Sequence, residues 1–128
     1  MKVGLDTNIL VRWLVDDGES GQLDRVARAM ALENLHLSSV AVAETIWVLS
    51  TIYSFSRDRI RSVMLSLSEM PNLTVEGGAA IESALAEFER HGGDFNDHLI
   101  AAHDHAAGCA HTLTFDKKAA RSKRFKLL

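Results

Sequence analysis

Apolar positions along the chain alternate between two rhythms: brief runs of three or four residues, and longer stripes with helical spacing. Lys2 to Leu5 is one of the brief runs, too short for a helix, and predicts a buried strand. It stops at Asp6, where the cap-type residues Thr7 and Asn8 lead into the helical stripe Ile9, Leu10, Trp13 and Leu14. Asp16–Asp17–Gly18 breaks the pattern, and Leu23, Val26, Ala27, Met30 and Ala31 predict a second helix with Ser20 as its N-cap. Leu35–His36–Leu37 makes a minimal strand, followed by a helix capped at Ser38 or Ser39 and running to about Tyr53.

That helix is apolar on more than one side, with Val40, Ala43 and Trp47 on one face and Val42, Ile46, Leu49 and Tyr53 on another. Such a helix is expected to be buried in its own domain or against a partner. Glu44 stands among these apolar positions, where uncompensated burial would be costly unless a cation or donors satisfy it. Ser56 caps a fourth helix with Ile60, Val63, Met64 and Leu67 inward, and Pro71 ends it. Leu73–Val75 predicts a third strand. Gly77–Gly78 precedes a fifth helix marked by Ile81, Ala84, Leu85 and Phe88, with Glu82, Glu87 and Glu89 outward. After Gly92–Gly93, Asp94 is a good N-cap for a helix carrying Leu99, Ala102 and Ala106. Thr112 to Phe115 reads as a strand ending at Asp116, Lys117 to Arg121 as a short helix, and Phe125 to Leu127 as an edge strand.

Strand and helix alternate throughout, which predicts an α/β fold with a mainly parallel sheet and helices on both faces. At 128 residues the expectation is a single domain over residues 1–128. No apolar run reaches the roughly 20 residues a membrane helix needs, and no signal-peptide pattern is present. With one cysteine, Cys109, no internal disulfide can form, so a cytoplasmic location is expected. The net charge of −3 does not announce a nucleic-acid binder, but its distribution does more, because six Lys and Arg crowd residues 117–126.

Four acids fall in equivalent places of this pattern: Asp6 and Asp116 just after strands, Glu44 and Asp97 near helix starts. Taken singly, Asp6 reads as a helix cap and Asp97 as a capping-box acid. Taken together, they point to the crevice at the carboxyl ends of the strands, where open α/β sheets bind ligands. Two carboxylates about 4 Å apart repel by roughly 4 kcal/mol at an effective dielectric of 20, so such a cluster needs protons or cations. Oxygen-only donors suit Mg²⁺ or Mn²⁺, which also bind phosphate oxygens and activate water. Hydrolysis of a nucleic-acid backbone is the chemistry that follows, with Lys117, Lys118 and Arg121 as candidate phosphate contacts.

The stretches LDTNILVRWLVDD, AETIWVLSTIYSFSRDRI, GGDFNDHLIAA and TLTFDKKAAR resemble the PIN-domain ribonucleases, specifically the VapC-type toxins of toxin–antitoxin pairs. The likeness extends from Met1 to about Arg121. It implies a PIN-like three-layer fold in which Asp6, Glu44, Asp97 and Asp116 hold a divalent metal, beside polar positions at Asn8 and Thr114. It further implies Mg²⁺- or Mn²⁺-dependent endoribonuclease activity, homodimerisation and neutralisation by a small antitoxin. His98, directly after Asp97, departs from the small apolar residue expected there.

Other readings compete. A catalytically silent PIN-like nucleic-acid-binding module should have lost acids that this chain retains. A PIN-type nuclease acting on DNA is open on chemistry alone. A receiver-type phosphoryl acceptor needs an Asp after a middle strand, and neither Leu37 nor Val75 is followed by one. The histidines, including His103 and His105, are expected to face solvent or join polar networks rather than bind zinc, because i, i+2 positions do not share a helix face. Asp94 is expected to act only as a cap.

Overall fold

The computed structural model describes residues 1–15 and 20–128, with the side chains of residues 20 and 21 excepted. The break expected at Asp16–Gly18 and the capping role expected of the Ser20 side chain lie outside the described residues. The described chain forms two compact units, residues 1–76 and 77–128.

The first unit is built on three strands, β1 (Val3–Gly4), β2 (Leu35–Leu37) and β3 (Leu73–Val75). They form a parallel sheet in the order β1-β2-β3, with Val3 opposite Leu35 and Leu35 opposite Leu73. Each crossover uses two helices: α1 (Thr7–Leu14) and α2 (Ser20–Met30) between β1 and β2, then α3 (Ser39–Thr51) and α4 (Arg57–Glu69) between β2 and β3. A parallel neighbour demands such a long return, because a hairpin can only reverse the chain. Leu35 and Leu37 are fully buried, as are Leu10, Val42, Leu49, Met64 and Leu67 from the helices around them. Asn72, just before β3, donates its amide to the Met30 and Leu32 carbonyls at 3.0 and 2.8 Å, satisfying groups that the end of α2 leaves open.

The pairing brings the carboxyl ends of the three strands to one edge. There the Leu5 amide donates to the His36 carbonyl and the Glu76 amide to the Leu37 carbonyl. Glu76 in turn accepts from the Ser39 backbone amide at 3.1 Å and the Ser39 hydroxyl at 2.6 Å. The start of α3 is thereby fixed at this edge, next to the turn from β1 into α1.

The second unit contains α5 (Gly78–His91), α6 (Phe95–Ala106), β4 (Thr112–Thr114), a 3-10 turn (Ala119–Arg121) and β5 (Phe125–Leu127). β4 and β5 form their own two-stranded parallel ladder, with Thr112 opposite Phe125. Gly77 enters α5 with φ +67, and a Cβ there would also stand 3.0 Å from the His103 ring, so both backbone and space favour glycine. Phe88 and Phe95 meet edge to face with ring centroids 5.7 Å apart. No described helix is long and apolar enough to cross a membrane.

The elements follow the hydrophobic rhythm closely, with strands shorter than expected. β1 loses Lys2 and Leu5, and β4 ends before Phe115, which is 80% exposed. Glu87 is half-buried rather than outward and pairs with His91 and Arg124.

Candidate metal centre

Asp6 leaves β1 with extended backbone and becomes the N-cap of α1, its Oδ1 accepting from the Thr7 amide at 2.7 Å. The capping role expected for a lone acid is therefore real, and it uses one of the two carboxylate oxygens. Thr7 is buried, and its hydroxyl donates to Glu44 Oε2 at 2.9 Å. Glu44 sits one turn into α3, whose cap is Ser38, accepting from the Ala41 amide at 3.1 Å. Two caps and one threonine thus hold the Asp6 and Glu44 carboxylates at the same sheet edge. Both line an open cleft of about 390 Å³, together with Asn8, Arg12 and Tyr53.

Glu44 corrects one expectation. It is exposed, and the apolar residues around it in sequence divide between two faces. Val42, Ile46 and Leu49 are buried, whereas Val40 and Trp47 are 65% and 56% exposed. The helical period separates Glu44 from the buried stripe, so its charge stays in water and no desolvation cost arises.

The second pair belongs to the second unit. Asp94 caps α6, accepting from the Asn96 amide at 3.0 Å, and Asp97 follows in the first turn. The Asp97 carboxyl is pushed above the ordinary aspartate value, first by burial, then by the negative charges of Asp94 and Asp116, with His98 acting the other way. Asp116 follows β4. Its amide donates to Thr114 Oγ1 at 3.0 Å, and its Oδ1 accepts from the Lys118 amide at 2.8 Å. Thr114 therefore fixes the turn that presents Asp116, while Lys117, Lys118 and Arg121 are exposed beyond it.

Of the two roles expected for histidines, facing solvent or joining polar contacts, His98 takes the second. It is 2% exposed, its Nε2 lies 2.7 Å from the Gly92 carbonyl, and its ring packs edgewise on Phe88 and Phe125. As the donor to that carbonyl it carries its proton on Nε2, and the buried Nδ1 has no hydrogen-bond partner. The ring anchors the first turn of α6 to the Gly92–Gly93 corner and so positions its neighbour Asp97.

Within each unit the described acids come as pairs, and three or more His, Cys, Asp or Glu side chains do not gather in a metal-binding group among the described residues of either. Each pair is an oxygen-only donor set at the end of a strand or the start of a helix, which fits a hard divalent cation that keeps part of its water shell. The negative charge that raises Asp97 is what a cation would relieve.

Sequence reasoning read Thr7 only as a cap-type residue, whereas the cap is Asp6 and Thr7 orients Glu44. Its signal was present, since a threonine between a strand-end acid and an apolar stripe can turn its hydroxyl toward a neighbouring element. Arg12 was also overlooked, although the spacing of Asn8 and Arg12 puts both on one face of α1.

The PIN domain family model matches residues 3–124, a span that includes both acid pairs. No curated protein matches the chain.

Proposed function

We propose that this chain, which belongs to the PIN domain family, is a divalent-metal-dependent endoribonuclease acting as the toxin of a toxin–antitoxin pair. The family's fold is a nuclease fold, generally metal-dependent, and that much comes with membership. RNA as substrate and the toxin role are the further steps. Their support is the four-motif resemblance to the VapC-type proteins, together with retention of all four acids.

The observation that carries the reading is the charge state of the site. Asp97 is pushed upward first by burial and then by two neighbouring carboxylates, a penalty that a bound cation would relieve. Asp6, Glu44, Asp97 and Asp116 are the residues proposed to hold Mg²⁺ or Mn²⁺. When bound, the metal would lower the pKa of a water and stabilise charge on the phosphate oxygens.

The chain's own residues do the rest. Thr7 holds Glu44 in one orientation. The Thr114 turn presents Asp116, and the His98 anchor positions Asp97. Asn8, on the wall of the cleft shared with Asp6 and Glu44, offers an amide to the substrate strand. Lys117, Lys118 and Arg121 supply phosphate contacts and pre-pay part of the strand's electrostatic attraction. An inhibitor would reach the same acids with a basic side chain, for which Arg is suited by its planar, permanently charged fork.

The test is cleavage of labelled RNA and of DNA of the same sequence, with Mg²⁺, with Mn²⁺ and with chelator. The expected result is metal-dependent cleavage of RNA, abolished in Asp6→Asn and Asp97→Asn. Equal cleavage of DNA would make the enzyme a general PIN nuclease. RNA binding with no cleavage under any metal would make it a silent binding module.

A further inference from the structure

A second cleft opens next to the acidic one, between α1 and α2. It also has a volume of about 390 Å³ and is lined by Asn8, Arg12, Gln22 and Arg25 over an apolar floor that includes Ile9 and Val26. Asn8 and Arg12 line both clefts, so the two lie side by side with α1 as their common wall. Their chemistry differs. The first holds Asp6 and Glu44, whereas two arginines and no carboxylate line the second among the described residues.

The placement follows from helical spacing. Asn8 and Arg12 are i, i+4 on α1, and Gln22, Arg25 and Ala29 are i, i+3, i+7 on α2, so each helix turns one stripe toward the cleft. Val26 is buried beneath them, while Gln22 and Arg25 are exposed. A buried apolar floor, walls of guanidinium and amide donors, and an opening to solvent suit an anionic strand that passes along the cleft rather than a small molecule enclosed by it. Guanidinium forks match phosphate oxygens two at a time, and amides add uncharged donors.

We propose that this cleft is a phosphate subsite, in which Arg25 holds a backbone phosphate of the RNA strand adjoining the scissile one at Asp6 and Glu44. The assignment rests on the ribonuclease reading for the identity of the strand. The sign of the charge selects the occupant: an acid-lined cleft beside an arginine-lined one matches a strand whose scissile phosphate is met through metal and whose next phosphate is met directly. Arg25 contributes binding only and touches no reacting atom.

The experiment uses the full chain and a short fluorescein-labelled single-stranded RNA in chelator, read by anisotropy over a salt series, with cleavage kinetics in Mg²⁺ measured in parallel. Arg25→Ala is expected to raise Kd about tenfold and to make the slope of log affinity against log salt shallower by about 0.7, one phosphate contact on a single strand. Gln22→Glu, which places a negative charge in the cleft, is expected to weaken binding in the same way. KM should rise with kcat unchanged within about twofold, the pattern of uniform binding lost. Unchanged Kd and salt slope in both variants would overturn the subsite. So would the absence of RNA binding by the parent chain, or an Arg25 effect confined to binding of a protein partner. Failure of the ribonuclease reading looks different: no cleavage with any metal, while RNA binding still depends on Arg25.

Discussion

The hydroxyl of Thr7 donates to Glu44 Oε2 at 2.9 Å, joining the first residue of α1 to the first turns of α3 across 37 positions of sequence. Because the Thr7 amide also binds Asp6 Oδ1, one residue orients both carboxylates of the first unit. Thr7→Val keeps the shape and the amide but removes the hydroxyl. Glu44 is exposed, so freeing it should leave stability nearly unchanged. Groups that orient metal ligands are typically worth about 10–100-fold in affinity or activity. The expected outcome is a metal requirement raised within that range, read from cleavage rate against Mg²⁺ concentration, with an unchanged melting temperature. A variant with the parent's metal dependence would reduce Thr7 to a packing residue.

Asp97 gives a pH-dependent prediction whose sign is fixed by its upward shift. The folded state keeps a proton on Asp97 over a range where the unfolded chain has already lost it. Stability therefore falls as pH rises from the ordinary aspartate value through the raised one, and the cost persists at neutral pH. Asp97→Asn removes that cost. In chelator the variant should melt a few degrees at most above the parent near neutral pH, because the group is only half-buried and solvent screens its neighbours. The gap should close below the ordinary aspartate value, where both side chains are neutral. A variant less stable than the parent at neutral pH would mean that the Asp97 carboxylate supports the fold.

The buried His98 side chain predicts a larger loss. His98→Ala opens a cavity between Phe88 and Phe125 and leaves the Gly92 carbonyl without its donor. Deletions of buried rings cost about 3–5 kcal/mol, and a carbonyl left without its donor adds to that. The unpartnered Nδ1 offsets part of the loss, so about 3 kcal/mol is expected, measured by urea denaturation in chelator. Activity should fall as well, through displacement of Asp97. A loss below about 1 kcal/mol would place the ring in a site that relaxes freely.

These cases divide what a single chain reveals from what it conceals. The hydrophobic rhythm was enough for the helices and for the parallel strands, because burial period and chain length leave few arrangements of short strands separated by helix pairs. The acids at strand ends and helix starts were visible for the same reason: Asp6, Asp94 and Asp116 serve as caps or turn residues whatever else they do. The exposure of Glu44 was not visible, because on a helix with two apolar faces only the packing decides which face is turned inward. Nor was the burial of His98, whose cost is offset by the Gly92 carbonyl, a partner six residues back that no side-chain pattern marks.

The same helix, α3, carries the last prediction. Its inner face of Val42, Ile46 and Leu49 is buried, while Val40 and Trp47, seven residues apart and hence on one side, are 65% and 56% exposed. Single exposed apolar side chains need no explanation, but a tryptophan and a valine aligned on a helix with few charges form a patch of the kind that marks interfaces. The resemblance to dimeric toxins makes a second copy the expected partner, and a two-fold contact would set the same face of each α3 against the other. Sedimentation at micromolar concentration should then give a dimer. Trp47→Ser should shift it to monomer without loss of fold, since the side chain contributes little to the core of its own chain. A parent chain that sediments as a monomer, with Trp47 freely quenched by iodide, would assign this face to another protein or to none.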